Sequence, residues 1–77
     1  ERITENLYIN KVIKLNTRYG ETNMHIMTDG AENIYTWMTH TRNLIEGQTY
    51  VITGTIKAHD IYKGEKRNAL VRCQVKS

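Results

Sequence analysis

Apolar and polar residues alternate with a period of two along this chain, most clearly at its C-terminal end. Between Gly47 and Val75, two runs rich in β-branched and apolar residues flank a polar, basic segment that contains Gly64. Strand side chains alternate between the faces of a sheet. Two such runs joined by a polar segment with a glycine are typical of a β-hairpin with a longer loop. We therefore predict a hairpin at this end of the chain.

Each run of this hairpin has one face of apolar or small side chains, and these faces predict part of the core. The first face consists of Tyr50, Ile52, Gly54, Ile56 and Ala58. The second consists of Ala69, Val71, Cys73 and Val75. Because a glycine within a strand marks a bend or a close approach of another backbone, we expect one of these at Gly54. Cys73 alternates with two valines, so we interpret it as a small buried hydrophobe.

The N-terminal part of the chain predicts a long, bent first strand. In the segment from Leu7 to Leu15, Leu7 and Ile9 share one parity, as do Ile13 and Leu15, whereas Val12 lies on the other. A β-bulge near Asn10 to Val12 would allow this strand to bend and to serve both sides of a barrel. Residues Thr17 to Glu21 then predict a turn, in which Gly20 provides the permissive backbone angles.

The next two strands are predicted at Asn23 to Thr28 and at Asn33 to Thr39, joined by a tight turn at Asp29-Gly30. On the second strand, Met24, Ile26 and Thr28 lie on one face, and His25 and Met27 lie on the other. On the third strand, one face carries Ile34, Thr36 and Met38, and the opposite face carries Tyr35 and Trp37. We expect the isoleucine and methionine face to pack in the core, which leaves the two aromatic residues outside. On the second strand, His25 is likewise expected outside.

A polar connector at residues 39–46 has room for at most about one helical turn. Five strands in this order predict an all-β protein, a five-stranded antiparallel barrel with little or no helix. The order resembles that of the OB-fold, and an SH3-like barrel is the competing arrangement. Residues 1–77 are expected to form a single OB-fold domain. The chain does not begin with Met, which leaves open that it belongs to a longer protein.

Composition narrows the class of protein. The chain has one cysteine and no proline. An internal disulfide is therefore impossible, and disulfide-poor small domains belong mostly to reducing compartments. No apolar run approaches the roughly 18 residues of a membrane span, and no signal-peptide pattern is visible. We expect a cytoplasmic protein with no membrane partner.

The net charge of +3 is unevenly distributed. The last 24 residues, from Gly54 onward, carry six basic and two acidic side chains, whereas the first 53 carry five basic and six acidic ones. The whole positive excess therefore lies in the C-terminal hairpin. A local basic excess favours a polyanionic partner, although a solvated surface with ordinary lysines is the plainer interpretation.

The same hairpin carries a recurring signature. Gly54-Thr55-Ile56-Lys57-Ala58-His59 is followed by Tyr62-Lys63-Gly64, by Lys66, and by Leu70 with Arg72-Cys73. This resembles the last hairpin of small OB-fold modules in replication proteins of phages and mobile elements. Arg18-Tyr19-Gly20 and Trp37-Met38-Thr39 resemble companion parts of that pattern. The resemblance implies binding of single-stranded nucleic acid.

Single-strand binders combine a basic groove with aromatic side chains on which bases stack. OB-folds present such a site on strands two and three and on the loops after strands one and four. The candidate nucleic-acid-binding residues are Tyr35, Trp37, Tyr62, Lys63, Lys66, Arg67, Arg72, Lys57, Arg18, Tyr19 and His25. Alternatives remain open: Trp37 would otherwise cover the barrel wall, Tyr62 would pack on its own loop, and His25 would be solvated.

Catalysis and metal binding are not expected. The histidines His25, His40 and His59 do not have the spacing of metal ligands, and a single cysteine with scattered carboxylates does not favour a zinc site. The sequence contains no recognisable nucleophile–base pair, acid pair or phosphate-binding glycine loop. We therefore expect a protein that is not an enzyme and uses no cofactor.

Three functions remain as hypotheses. The first is binding of single-stranded DNA with little sequence specificity, as an accessory factor in replication or recombination, with RNA as an alternative ligand. The second is a protein-interaction subunit that docks on a polymerase, helicase or primase, for which the short connector with Leu44 and Ile45 is the motivation. The third is a regulatory domain of a larger enzyme.

Overall fold

The computed structural model of the protein describes residues 1–18 and 20–76, so Tyr19 and Ser77 lie outside the described residues. It contains five strands: β1 (Arg2–Thr17), β2 (Gly20–Thr28), β3 (Ile34–Thr39), β4 (Thr49–Tyr62) and β5 (Glu65–Lys76). Turns and irregular segments make up the rest of the described chain, which has no helix and hence none that could cross a membrane.

The strands form one sheet that closes into a ring in the order β1-β2-β3-β5-β4, a closed barrel. All neighbours are antiparallel except β3 and β5, which run parallel from the pair Ile34–Arg67 to the pair Trp37–Leu70. The prediction of an all-β protein with five strands is confirmed, but the prediction of a wholly antiparallel sheet is wrong. A ring with an odd number of strands cannot alternate in direction throughout, so at least one pair of neighbours is parallel.

The long first strand bends as the sequence indicates. The register between β1 and β2 shifts between Ile9 and Lys11, which leaves Asn10 as the extra residue of a β-bulge. The first half of β1 pairs with β4 and the second half with β2. In the turn that follows, Gly20 has a φ of 112°. The predicted bulge and the predicted role of Gly20 are both confirmed.

The turn between β2 and β3 is longer than predicted. Asp29 organises it: one carboxylate oxygen accepts hydrogen bonds from the backbone N–H groups of Ala31 and Asn33, each at 2.9 Å. The left-handed conformation falls on Glu32, with a φ of 65°, and not on Gly30. The predicted tight turn at Asp29-Gly30 is therefore a wider turn of five residues, which the aspartate side chain closes.

The β4–β5 hairpin, in contrast, is tighter than predicted. Its strands pair up to Tyr62 and Glu65, and the connecting residues Lys63 and Gly64 have φ values of 50° and 81°. Positive φ at both central residues is the geometry of the two-residue turn that matches the twist of a hairpin. The residues that were expected to form a long loop therefore continue the two paired strands up to Tyr62 and Glu65.

Irregularities within this hairpin change which residues face inward. The β4–β5 register shifts between Thr53 and Thr55, next to Arg72, which has a φ of 54°. Leu70, on one side of this shift, is buried, and Cys73 and Val75, on the other side, pack against the core. The predicted face that joined Ala69 and Val71 to Cys73 is therefore wrong in its first half, because an extra residue reverses the alternation.

The core reverses the face assignment predicted for β3. Its buried apolar members are Leu7, Ile9, Met27, Tyr35, Trp37, Leu44, Ile52 and Leu70. Tyr35 and Trp37 are each only 7% exposed, whereas Met38 is 52% exposed. The two aromatic residues carry the largest apolar area on the strand, and burying area is the dominant favourable contribution to folding.

Leu44 covers one end of the barrel in place of a helix. It lies in the irregular connector between β3 and β4 and is buried in the core cluster. The connector is held by backbone hydrogen bonds to Ile9, which donates to the Gln48 carbonyl and accepts from the Gly47 N–H at 2.9 and 2.8 Å. The side chain of Glu46 also accepts a hydrogen bond from the Val12 N–H at 2.7 Å. Leu44 is therefore not available as a docking residue.

Gly54 confirms the expected close approach. A Cβ atom added to it would lie 2.7 Å from the Cys73 Sγ atom, on the facing strand β5. Only glycine therefore fits at this position without a shift of its neighbour. Burial raises the pKa of the Cys73 thiol to about 11, so the side chain is a protonated, small hydrophobe at neutral pH.

Candidate functional site

A groove of about 820 Å³ lies on the outer face of β2 and β3. Its floor is apolar apart from one threonine. The floor residues are Ile13, Met24, Ile26, Thr36, Met38 and Ala69. A smaller depression of about 250 Å³ shares Thr36, Met38 and Ala69 and continues the groove towards Val71.

Strand register places the floor residues side by side. Met24 on β2 is the cross-strand partner of Met38 on β3, and Ile26 is the partner of Thr36. Thr36 is in turn paired with Ala69 on β5. Side chains of directly paired residues lie on the same face, so three strands together present one continuous apolar surface.

The far end of the β4–β5 hairpin forms the wall of the groove. The wall residues are Lys57, Ala58, Asp60, Ile61, Tyr62 and Arg67. Because the hairpin extends beyond the ring, its side chains are unusually accessible: Ile61 is 79% and Tyr62 is 51% exposed. The wall thus combines an exposed aromatic ring, an exposed aliphatic side chain and two cationic groups.

Tyr62 is flanked by two cations. The Arg67 Cζ atom lies 4.5 Å from the centroid of the Tyr62 ring, and the Lys63 Nζ atom lies 5.4 Å from it. These are cation–π distances. The Arg67 Nε atom is buried and has no hydrogen-bond partner among the described residues. A ligand that supplies an acceptor there would satisfy this donor.

The charge of the groove is positive at its rim. Lys57, Lys63 and Lys66 are exposed, and the half-buried Arg67 adds a fourth cation. Asp60, the cross-strand partner of Arg67, is the acidic residue that lines the groove. The site therefore offers an anionic ligand several cations around an apolar floor.

The structure brings only some of the predicted binding residues to this groove. Tyr62, Arg67 and Lys57 line it, Lys63 adjoins Tyr62, and Lys66 is exposed on the same hairpin. Arg72 does not line the groove; its carbonyl oxygen lies 3.4 Å from the Arg2 Nη1 atom, which donates to it.

Arg18 and Tyr19 are two further predicted residues. Arg18 is exposed in the turn after β1, outside the groove lining, and Tyr19 lies outside the described residues.

Three other predicted residues lie inside the barrel. Tyr35, Trp37 and His25 are buried, so their predicted exposure on the outer face is wrong. The His25 and Trp37 rings stack, with centroids 5.4 Å apart. All three side chains are large and lie on the same face of β2 and β3, and this explains why they fill the interior of the barrel. In this structure none of them can stack on a base in the groove.

His25 instead forms hydrogen bonds that join β2 to β3 and to the connector between β3 and β4. Its Nε2 atom accepts a hydrogen bond of 3.0 Å from the Leu44 N–H, so its Nδ1 atom carries the proton and donates to the Trp37 carbonyl at 3.2 Å. Burial lowers the pKa of His25, and the hydrogen bond to Trp37 opposes that shift only in part. The neutral ring is thus the form that fits.

Tyr35 is tied to the β2–β3 turn. Its hydroxyl donates to an Asp29 carboxylate oxygen at 3.3 Å. Burial raises the pKa of Tyr35, and the negative charge of Asp29 raises it further. Hydrogen bonds, chiefly from Asn33, hold the pKa of Asp29 below its ordinary value.

Sequence reasoning missed the apolar floor itself. The sequence predicts Met38 in the core and His25 outside, which puts Met24 and Ile26 on the inner face of β2, and it predicts no role for Ile61. The available signal was that β2 and β3 carry apolar residues on both faces, which is more than a one-sided core requires. In the described part of the chain, no three side chains of histidine, cysteine, aspartate or glutamate lie together as metal ligands.

No protein-family model matches the chain, and no curated protein or solved structure matches it either.

Proposed function

We propose that this protein is an OB-fold module that binds single-stranded DNA with little sequence specificity, as an accessory factor in replication or recombination. The closed five-stranded ring, with β5 between β3 and β4, supports the assignment to the OB-fold. OB-folds bind oligonucleotides on the face of strands two and three, next to the loop between strands four and five. The groove on β2 and β3, walled by the β4–β5 hairpin, lies in that region.

The arrangement at Tyr62 carries the proposal. An exposed aromatic ring at the edge of the groove can stack on a base, and base–aromatic stacking contributes about 1–3 kcal/mol per base. The cationic groups of Lys63 and Arg67 lie over the ring, so a base that stacks on Tyr62 would displace one of them, and both would then be close to the phosphates of the bound strand. Charge and stacking together give affinity without reading base edges, which is why the specificity is low.

The proposal is tested by titrating the protein with a labelled deoxyoligonucleotide of about 12 residues and following fluorescence anisotropy. Four cations at the rim would neutralise about three to four phosphates, and the logarithm of affinity should then fall against the logarithm of salt with a slope of about −2 to −3. Affinity that does not change with salt would refute the electrostatic part. An RNA oligonucleotide of the same length and sequence is titrated in the same assay, and the comparison of the two affinities decides between DNA and RNA as the preferred ligand.

Tyr62→Ala should weaken binding by about 1–3 kcal/mol, or about fivefold to 150-fold. The matched control is Tyr8→Ala, because Tyr8 is also exposed on a strand, at 44%, but does not line the groove. Equal losses in the two variants would remove Tyr62 from the site. Lys63→Glu should lower affinity for all sequences alike, whereas Lys76→Glu, with the same change in charge outside the groove lining, should have a smaller effect.

The second candidate is a protein-interaction subunit that docks on a polymerase, helicase or primase. One observation favours it: the apolar floor and the exposed Ile61 would suit a protein ligand as well as a base. The motivation from Leu44 no longer holds, because that side chain is buried. Absence of oligonucleotide binding at low salt would leave this second function as the better explanation of the groove.

A further inference from the structure

We propose that the groove favours thymine over the other bases, because its floor offers apolar contact to the 5-methyl group. The inference rests on the proposed binding of single-stranded DNA and adds a preference to it. The thymine preference is assigned to the floor of the groove, whereas the affinity for DNA of any sequence is assigned to the residues at its rim. A modest preference of this kind is compatible with a protein that binds every sequence.

The composition of the floor is the first argument. Among the described residues that line the groove, Tyr62 is the single aromatic one, and it stands in the wall. Bases that lie beyond Tyr62 would therefore rest on methionine and isoleucine side chains and not on rings. Methionine and isoleucine side chains cannot form hydrogen bonds with base edges. Thr36 is the one floor residue that can, so apolar area is the main difference between bases that the floor detects.

The methyl group of thymine is the apolar feature that distinguishes one base from the others. Removing a methyl or methylene group from water contributes roughly 0.8 kcal/mol, about a fourfold gain in affinity for each group that is fully buried. Met38 is 52% exposed in the free protein, so it has apolar surface available for this contact. Methionine is also flexible enough to adapt to the position of the methyl group.

The position of the charges orients the strand with its bases towards the floor. The charged residues that line the groove, Lys57, Asp60 and Arg67, all stand in the hairpin wall, and none belongs to the floor. Lys63 and Lys66, near the tip of the hairpin, would attract the phosphates away from the floor. This arrangement directs the backbone to the rim and the bases to Met24, Ile26 and Met38.

The test compares an oligodeoxythymidine of 12 residues with an oligodeoxyuridine of the same length. The two strands have the same sugar and phosphates and differ only in the methyl groups, so stacking and backbone flexibility are closely matched. We expect the thymidine strand to bind about threefold to tenfold more tightly, with the same salt slope. Equal affinities would overturn the thymine preference and leave the proposed function standing. Failure of both strands to bind at low salt would overturn the proposed function itself.

Variants locate the preference within the groove. Met38→Gln keeps a side chain of similar length but replaces the apolar end, and it should bring the ratio of the two affinities close to one. Ile45→Gln is the matched control, because Ile45 is 63% exposed and does not line the groove. Tyr62→Ala should weaken both strands alike and keep the ratio. A ratio that survives Met38→Gln in a folded protein would overturn the role assigned to the floor.

Discussion

The two faces of the β2–β3 hairpin are both apolar, yet they differ in what their side chains do. The inner face carries His25 and Trp37, whose rings stack, and both ring nitrogens of His25 are engaged in buried hydrogen bonds. The outer face carries Met24 and Met38, which are paired across the strands and border an open groove. Apolar character alone therefore does not identify the core face of a strand.

The difference follows from side-chain area and from polar atoms. A tryptophan ring gains more by burial than a methionine side chain does, because it removes more apolar surface from water. The histidine can join it inside because both of its nitrogen atoms find partners, and a buried polar group without a partner would be costly. The methionines are left outside, where they form an adaptable surface.

The largest expected effect concerns Trp37. Trp37→Ala should lower the free energy of unfolding by about 3–5 kcal/mol, because it leaves a cavity in the core. Met38→Ala, one position further along β3, is the matched control. Chemical denaturation monitored by circular dichroism measures both variants. If Trp37→Ala were as stable as the wild type and lost only DNA affinity, the inner assignment of this ring would be wrong.

An effect of intermediate size is expected on stability when the pH falls, and it concerns His25. Because burial lowers the pKa of His25 from its ordinary value of 6.5, the unfolded chain takes up a proton at a higher pH than the folded protein does. The stability contributed by the neutral ring should be complete above about pH 6.5 and should be lost as the pH falls towards and through the lowered pKa. Protonated Nε2 could no longer accept the Leu44 N–H.

Unfolding measured at several pH values tests this contribution. His25→Gln should lower stability at neutral pH, by about 1–3 kcal/mol for one buried group left without its partner. It should also reduce the loss of stability between pH 7 and pH 5. His40→Gln and His59→Gln serve as controls, because both histidines are exposed. An unchanged acid profile in His25→Gln would show that this histidine is not the group responsible.

The smallest expected effect on stability concerns the outer face. Met38→Ala should change the free energy of unfolding by no more than about 0.5 kcal/mol, because the side chain is largely exposed and leaves no buried cavity. Its effect should be seen in oligonucleotide binding instead. A stability loss as large as that of a core residue would mean that the groove is closed in solution.

Features that depend on single residues or on neighbours in sequence were predictable. The bulge at Asn10 followed from Val12, whose parity is opposite to that of the other apolar residues of the segment, and the role of Gly54 followed from a glycine in mid-strand. The position of Tyr62 near the basic tip of the β4–β5 hairpin was also predictable. The shape of that tip was not predictable, because Lys63-Gly64 forms a tighter turn than the polar composition of the segment indicates.

The amino-acid sequence by itself determined an all-β protein of five strands, and it determined where the positive charge and the bend of the first strand lie. It could do so because alternation, glycine and charge act locally. Only the tertiary structure decided that Tyr35, Trp37 and His25 point inward and that Met24 and Met38 form the groove. The reason is that a strand with two apolar faces has no local preference between them. The choice depends on which face fills the interior when all five strands close into a ring.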